Sequence, residues 1–357
     1  MNPVHLIADH IMVSPSPEFY DHSLPKILRR AHRRPGINDA LIRPDDETQR
    51  DLTFSKLLRN RAVMRGRIRT LVVLVDFQDV KFEDQQTPDQ YDALWFAPKP
   101  ANSVNSYFED VSKGKVSIYG DVKGPYTLSH NMSYYANRKS GLGLRTPNAM
   151  TMARETVAAA IKDNVDFSLY DNDHDGFVDS FVIIHAGSGA EFTYQLDDLH
   201  THKGALDDDD GPVTFQDRTQ IYAYVTIHAD CKLGMCVHEL GKLTFGWPDL
   251  YDADLSSSGI GNWCVMASGY INGEENNPAH PSAFCKLKQK WVECVFVEKN
   301  VTMELKDVKD DAKIVQIWKG NQIGSEYFLL EYRKQTGRDS DLPGSGLLVW
   351  HIDEDQD

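Results

Sequence analysis

The stretch CVHELGKLTFGWPDLYDAD, residues 236–254, puts an imidazole, a carboxylate and an amine within five positions of one another. On a helix, His238 and residue 242 stand one turn apart and project from the same face. That spacing lets two imidazoles grip one zinc ion, while a glutamate beside the first acts as general base on metal-bound water. Glu239 holds the glutamate position, but Lys242 stands where the second imidazole belongs. An ammonium has no lone pair until it is deprotonated, which from a free pKa of about 10.4 costs several kcal/mol at pH 7. Taken alone, a His-Glu pair on a helix is more often an ordinary surface pair than a metal site.

A second cluster is DNDHDGFVD, residues 171–179. Asp171, Asp173 and Asp175 take the first, third and fifth positions of a calcium loop, Gly176 the sharp turn after them, and Asp179 the ninth. Val182 stands where an EF-hand has its bidentate glutamate, so the expectation is a single structural calcium site. The bland alternative is a solvated acidic turn. His200 and His202, in LHTHKG, fall on one side of an extended segment, and a metal role for them stays open. His185 ends an apolar run and reads as a core histidine, and Asp207 to Asp210 read as a solvated loop. All five cysteines lie between Cys231 and Cys294, which allows two local disulfides and a free thiol in an oxidising compartment, or five buried thiols. Cys231 and Cys236 lack CxxC spacing, and no chemistry follows from it.

The run HELGK…GWPDLYD followed by GIGNWCVMASG (259–269) resembles the immune inhibitor A family of secreted zinc metallopeptidases. LVVLVDFQD (71–79), NSYFEDVSKGKVSIYGDV (105–122), YDNDHDGFVDSFVIIHAG (170–187), NPAHPSAF (277–284) and EYFLLEYR…LPGSGLLVWHID (326–353) agree in the same order. The resemblance covers roughly residues 68–353. It implies an α+β fold of zincin or metzincin type and hydrolysis of peptide bonds in protein or peptide substrates. Residue by residue, His238 matches the first zinc ligand, Glu239 the catalytic base and Asp249 the acidic third ligand beyond the helix. Met266 matches the Met-turn residue that packs under the metal without binding it. Asp249 stands eleven residues after His238 where the family spacing is ten, which leaves Asp252 as a second candidate. The resemblance also sets LHTHKG near the active cleft. Three functions follow: a pseudopeptidase with a degenerate site, an active peptidase that recruits His228 or His202 as substitute ligand, or a calcium-stabilised binding or structural module.

These side chains need elements to hold them. IRTLVVLVDF (68–77) reads as a strand buried on both faces. A short helix capped near Ser103 leads into the strand KVSIYGDV (115–122), and residues 148–163 form the clearest helix. SFVIIHAGSGAE (180–191) is a buried strand running into a Gly-rich loop. The helix with HELGK spans about 232–244 and is stopped by Gly246 and Pro248. Residues 281–292 predict a further helix, and VTMEL, AKIVQIW, EYFLLEYR and GLLVWHID predict successive strands. The resulting organisation is a leader at 1–67, a metallopeptidase-like domain at 68–294 and a β-rich module at 295–357, with more sequence expected beyond Asp357.

The chain of 357 residues is 41% hydrophobic and 25% charged, with a formal net charge of −15. Residues 1–69 hold 13 basic against 8 acidic side chains, so the remainder is strongly acidic and would repel nucleic acid and anionic membranes. KILRRAHRR (26–34) reads as an amphipathic leader lying on that acidic body. No apolar run is long enough for a membrane span, and the opening residues lack the basic and apolar regions of a signal peptide. The resemblance implies a secreted protein, which the cysteines and the sequons at Asn131 and Asn300 permit, while the missing signal peptide leaves an intracellular protein as the alternative.

Overall fold

The computed structural model describes residues 63–354 apart from 207–209, 217, 253–256, 298–299, 319 and 321–322. The leader expected at 1–67, its basic stretch 26–34 and residues 207–209 of the acidic loop therefore lie wholly or mainly outside the described residues.

Strand β1 (Gly66–Asp76) is an interior strand of a five-stranded sheet. Its side chains alternate between two cores: Ile68, Val72 and Leu74 face one, and Leu71, Val73 and Val75 the other. A strand with apolar groups on both faces must be covered on both, and here it is. It pairs in parallel with β2 (Val116–Thr127) and with β3 (Phe181–His185). Next come β7 (Ala223–His228), parallel to β3, and β4 (His202–Ala205), antiparallel to β7. The sheet order is β2-β1-β3-β7-β4, and β5 (Val213–Phe215) with β6 (Thr219–Ile221) forms a separate hairpin.

Helices α1 (Pro88–Phe96), α2 (Val104–Val111) and α4 (Leu233–Phe245) contribute to the first core, and α3 (Ala149–Lys162) to the second. Capping boxes start two of them, Ser103 with Ser106 and Asn148 with Thr151, satisfying backbone N–H groups that helix starts leave open. The helix expected over 281–292 is shorter: α5 is Ala283–Lys288, and Lys290 just beyond it has a φ of 51°.

A second sheet has the order β11-β10-β9-β8, from β8 (Glu293–Phe296), β9 (Lys313–Trp318), β10 (Glu326–Arg333) and β11 (Gly346–Asp353). The strand expected at VTMEL (301–305) does not form; Val301 and Met303 are exposed, with no apolar surface to cover them. Ile314, Tyr327, Leu329 and Trp350 of the second sheet join Val237, Leu240 and Met266 in one core, which thus runs across residue 294. The fold is α+β. Among the described residues no helix is long and apolar enough to cross a membrane.

Candidate active site

Helix α4 carries His238, Glu239 and Lys242, and each of its residues is buried. His238 directs Nδ1 at the Val265 carbonyl, 2.7 Å away. A carbonyl only accepts, so Nδ1 donates and the ring presents Nε2 to the site, the orienting role that second partners play for metal-type histidines. Nε2 lies 3.0 Å from Asp249 Oδ1.

Asp249 arrives there because the helix ends sharply. Gly246 adopts the left-handed conformation at φ 59°, and the chain folds back so that the Trp247 N–H reaches the Gly241 carbonyl at 3.1 Å. Trp247 then anchors the turn between Phe245 and Trp291, each ring centroid 5.2 Å away. The long spacing between His238 and Asp249 is absorbed in this turn. Asp252, the other acidic candidate, caps the loop instead, accepting from the Ser257 N–H at 2.8 Å. Leu250 donates its N–H to the Met266 carbonyl at 2.7 Å, tying PDLYD to the Met-turn segment. Met266 is fully buried beneath α4, where Gly241 has no side chain: a Cβ there would stand 2.8 Å from the Met266 sulfur.

Lys242 Nζ is 2.7 Å from Glu239 Oε1 and 3.5 Å from Asp249 Oδ1. Both Lys242 and Glu239 are at most 2% exposed. Burial works against the ammonium, but attraction to Asp249 and Glu239 outweighs it and holds the Lys242 pKa above its ordinary value. Burial pushes the Glu239 carboxyl up, against the pull of Lys242 and His238. Glu239 Oε2 is buried without a hydrogen-bond partner.

Sequence reasoning passed over two neighbours. Tyr251 donates its hydroxyl to Asp249 Oδ2 at 2.9 Å, and its place two residues after Asp249 was the available signal. The Tyr270 ring lies 5.2 Å from that of His238, and no local pattern marked it.

This donor set does not fit a catalytic zinc, which takes three lone-pair ligands from protein and a water. His238 and Asp249 supply two, and the third position holds a charged ammonium. Among the described residues, no other His, Cys, Asp or Glu completes a triplet with them whose donor atoms lie mutually within 4.8 Å. His202 turns Nδ1 to the His200 carbonyl at 2.7 Å. His228 sits beside His185 in the register of β3 and β7, and burial drives its pKa down to about 4, leaving a neutral ring. His185 is a fully buried histidine of the same sheet, with Nδ1 3.0 Å from the Ala186 carbonyl.

In the acidic loop, carboxylate oxygens of Asp171, Asp173 and Asp179 lie within 4.8 Å of one another. Gly176 makes the turn at φ 92° and donates to Asp171 at 3.1 Å. Asp175 is outside this triplet; its Oδ1 accepts the Phe177 N–H at 2.9 Å. Asn172 donates its N–H to Asp179 at 2.5 Å.

Residues 60–297 match the family described as immune inhibitor A peptidase M6, catalytic domain. One relative is immune inhibitor A of Bacillus thuringiensis subsp. alesti, 24% identical over 257 residues. That alignment covers 58% of this chain and 37% of the relative, so the match spans little more than a third of the relative's length. The family match extends over more than half of the chain and includes α4, the PDLYD turn and the Met-turn, and on that ground the chain belongs to the immune inhibitor A peptidase family M6.

Proposed function

We propose that this chain is a pseudopeptidase: a peptidase-family protein that binds polypeptide and in which the Lys242 ammonium takes the place of the metal. One observation carries the reading, the ammonium 2.7 Å from Glu239 and 3.5 Å from Asp249. Two carboxylates converging in a dry site need a compensating charge, and Lys242 provides it. A second cation in the same place would be repelled. His238 and Asp249 are the remaining lone-pair donors of the site, and Glu239 is the carboxylate that a metal-bound water would have required as base. Lacking that water, hydrolysis has no activated nucleophile.

Polypeptide binding rests on the cleft beside Asp249. It has a volume of about 900 Å³ and is lined by Leu250, Trp263, Phe284, Leu348 and Trp350 among others. Apolar and aromatic walls with acidic groups from Asp249, Asp353 and Glu354 suit side chains of an extended peptide. In this reading residues 68–294 are the peptidase-like unit, 295–357 a β-rich layer docked on it, and the protein works outside the cell. Asp171, Asp173 and Asp179 hold a structural calcium ion, with Asp175 shaping the loop through its backbone contacts.

Metal analysis and casein cleavage test the central claim. The unmodified protein should carry no stoichiometric zinc and leave casein intact. Lys242→His should bind zinc and gain cleavage. Stoichiometric zinc held through His238 in the unmodified protein would overturn the reading.

A further inference from the structure

Four of the five cysteines meet in two pairs, each at the start of a helix. Cys231 precedes Lys232, the N-cap of α4, and Cys236 is the fourth helical residue. Those two positions are the ones whose side chains close over a helix start as a hydrophobic staple. Both residues are buried free cysteines of the same core. At α5 the N-cap is Ser282 and Cys285 is the third helical residue, a position whose side chain reaches back toward the N-cap N–H. That N–H, from Ser282, donates to Cys264 Sγ at 3.2 Å. The Cys264 sulfur therefore lies where the Cys285 side chain arrives, and both are buried free cysteines of that core. Cys294 stands apart, half-buried, with its thiol 3.5 Å from Gln316 Oε1.

We propose that in an oxidising compartment the protein carries two disulfides, Cys231–Cys236 and Cys264–Cys285, and leaves Cys294 as a free thiol. The oxidant is a small-molecule disulfide of the glutathione type. One cysteine thiolate attacks it, forming a mixed disulfide and releasing one thiol. The second cysteine displaces the other thiol and closes the protein S–S bond. Each pair thus gives up two electrons and two protons, which leave with the two thiols. Burial of all four sulfurs sets the reaction before the core closes, during folding. The first bond clamps the start of the helix bearing His238. The second ties the segment of Val265 and Met266 to α5, beneath the imidazole that Val265 orients. The inference does not depend on what Lys242 does.

Mapping the thiols of the full chain tests it. The protein is refolded in a glutathione redox buffer, denatured without reductant, alkylated with iodoacetamide and digested with trypsin. Lys232 lies between Cys231 and Cys236, so that bond holds two tryptic peptides together. The expected loss is from five labelled cysteines to one, Cys294, with Cys231 and Cys236 joining two peptides and Cys264 and Cys285 bonded within the single tryptic peptide 243–286. Cys236→Ser should add label at Cys231 alone, and Cys285→Ser at Cys264 alone. Absence of the linked pair at Cys231–Cys236 or of the internal bond in 243–286, or a bond that includes Cys294 or joins one helix start to the other, would overturn the assignment.

Discussion

At the scale of single residues, the site turns on which atom supplies positive charge. Lys242 and Glu239 are both buried and 2.7 Å apart, with Asp249 on the far side of the ammonium. A buried ion pair adds little over a well-packed apolar replacement, but removing one partner strands the other, at about 3–5 kcal/mol. Lys242→Ala should therefore destabilise the protein by that order in urea unfolding, and Lys242→Ala with Asp249→Asn should recover part of the loss. A single variant within about 0.5 kcal/mol of the parent, the range of an ordinary surface change, would mean the ammonium balances nothing. Gly241→Ala tests the Met-turn contact. Alanine would gain about 1 kcal/mol of helix propensity in isolation. Here its Cβ would meet the Met266 sulfur and the Trp247 ring, each at 2.8 Å. The ring packs in a mutual cluster with Phe245 and Trp291 and yields less readily than the thioether. Overpacking of this kind costs about 1–3 kcal/mol, so the net change should be a loss. A gain in stability would show that the turn slides freely.

At the scale of elements, the acidic loop and α4 are coupled through hydroxyls. Asp179 ends the loop, and Ser180, next in the chain, accepts from the Thr244 hydroxyl of α4 at 3.0 Å and shares a hydrogen bond with the Thr70 hydroxyl of β1 at 2.9 Å. Calcium on Asp171, Asp173 and Asp179 would relieve repulsion among three close carboxylates and fix this junction. A ligand that binds only the folded state contributes about 2.7 kcal/mol at 100 times its dissociation constant. Melting curves in calcium and in chelator should differ accordingly, and the difference should vanish in Asp173→Asn; identical midpoints would make the loop a plain acidic turn. Much of this framework was legible in the sequence, because periodicity, caps and stop signals are local. The apolar run of β1, the Ser103 cap of α2 and the Gly246 stop of α4 all stand where those signals put them. VTMEL misled because alternation states only that one face is apolar, not that a core exists to receive it. Tyr270 near His238, and Cys264 against Cys285, depend on chain segments brought together only by the tertiary fold. Lys242 stands out in HELGK, and two carboxylates beside a metal position that lacks its second imidazole already predict that the ammonium pairs with Asp249 or Glu239; the buried helix makes Glu239 the nearer partner.

At the scale of the whole molecule, the two sheets are joined by charge as well as by apolar packing. Arg333 on β10 donates to Asp339 and, at 2.6 Å, to the Trp263 carbonyl near the Met-turn. Lys286 on α5 pairs with Glu331 on β10 at 3.0 Å, and Trp350 on β11 donates to the same carboxylate at 3.1 Å. The side chains of Arg333, Asp339, Glu331 and Lys286 are all buried, so solvent screens none of them. Burial alone would raise the Asp339 carboxyl, but His280, Arg333 and Lys286 outweigh it and hold its pKa well below the usual carboxylate range. A carboxyl depressed in the folded state stabilises fully above its unfolded pKa, about 3.9, because only the unfolded chain takes up the proton near that value. The contribution is then lost as pH falls further. Asp339→Asn should thus be less stable than the parent at pH 7, by about 3–5 kcal/mol for a charge left unpaired in the interior. The gap should narrow steadily below about pH 4, as the parent's unfolded chain takes up a proton at this carboxyl while the asparagine does not titrate. Urea unfolding of both proteins from pH 7 to pH 3 reads this directly, and two parallel stability curves across that range would show that Asp339 does not hold the sheets together through its charge.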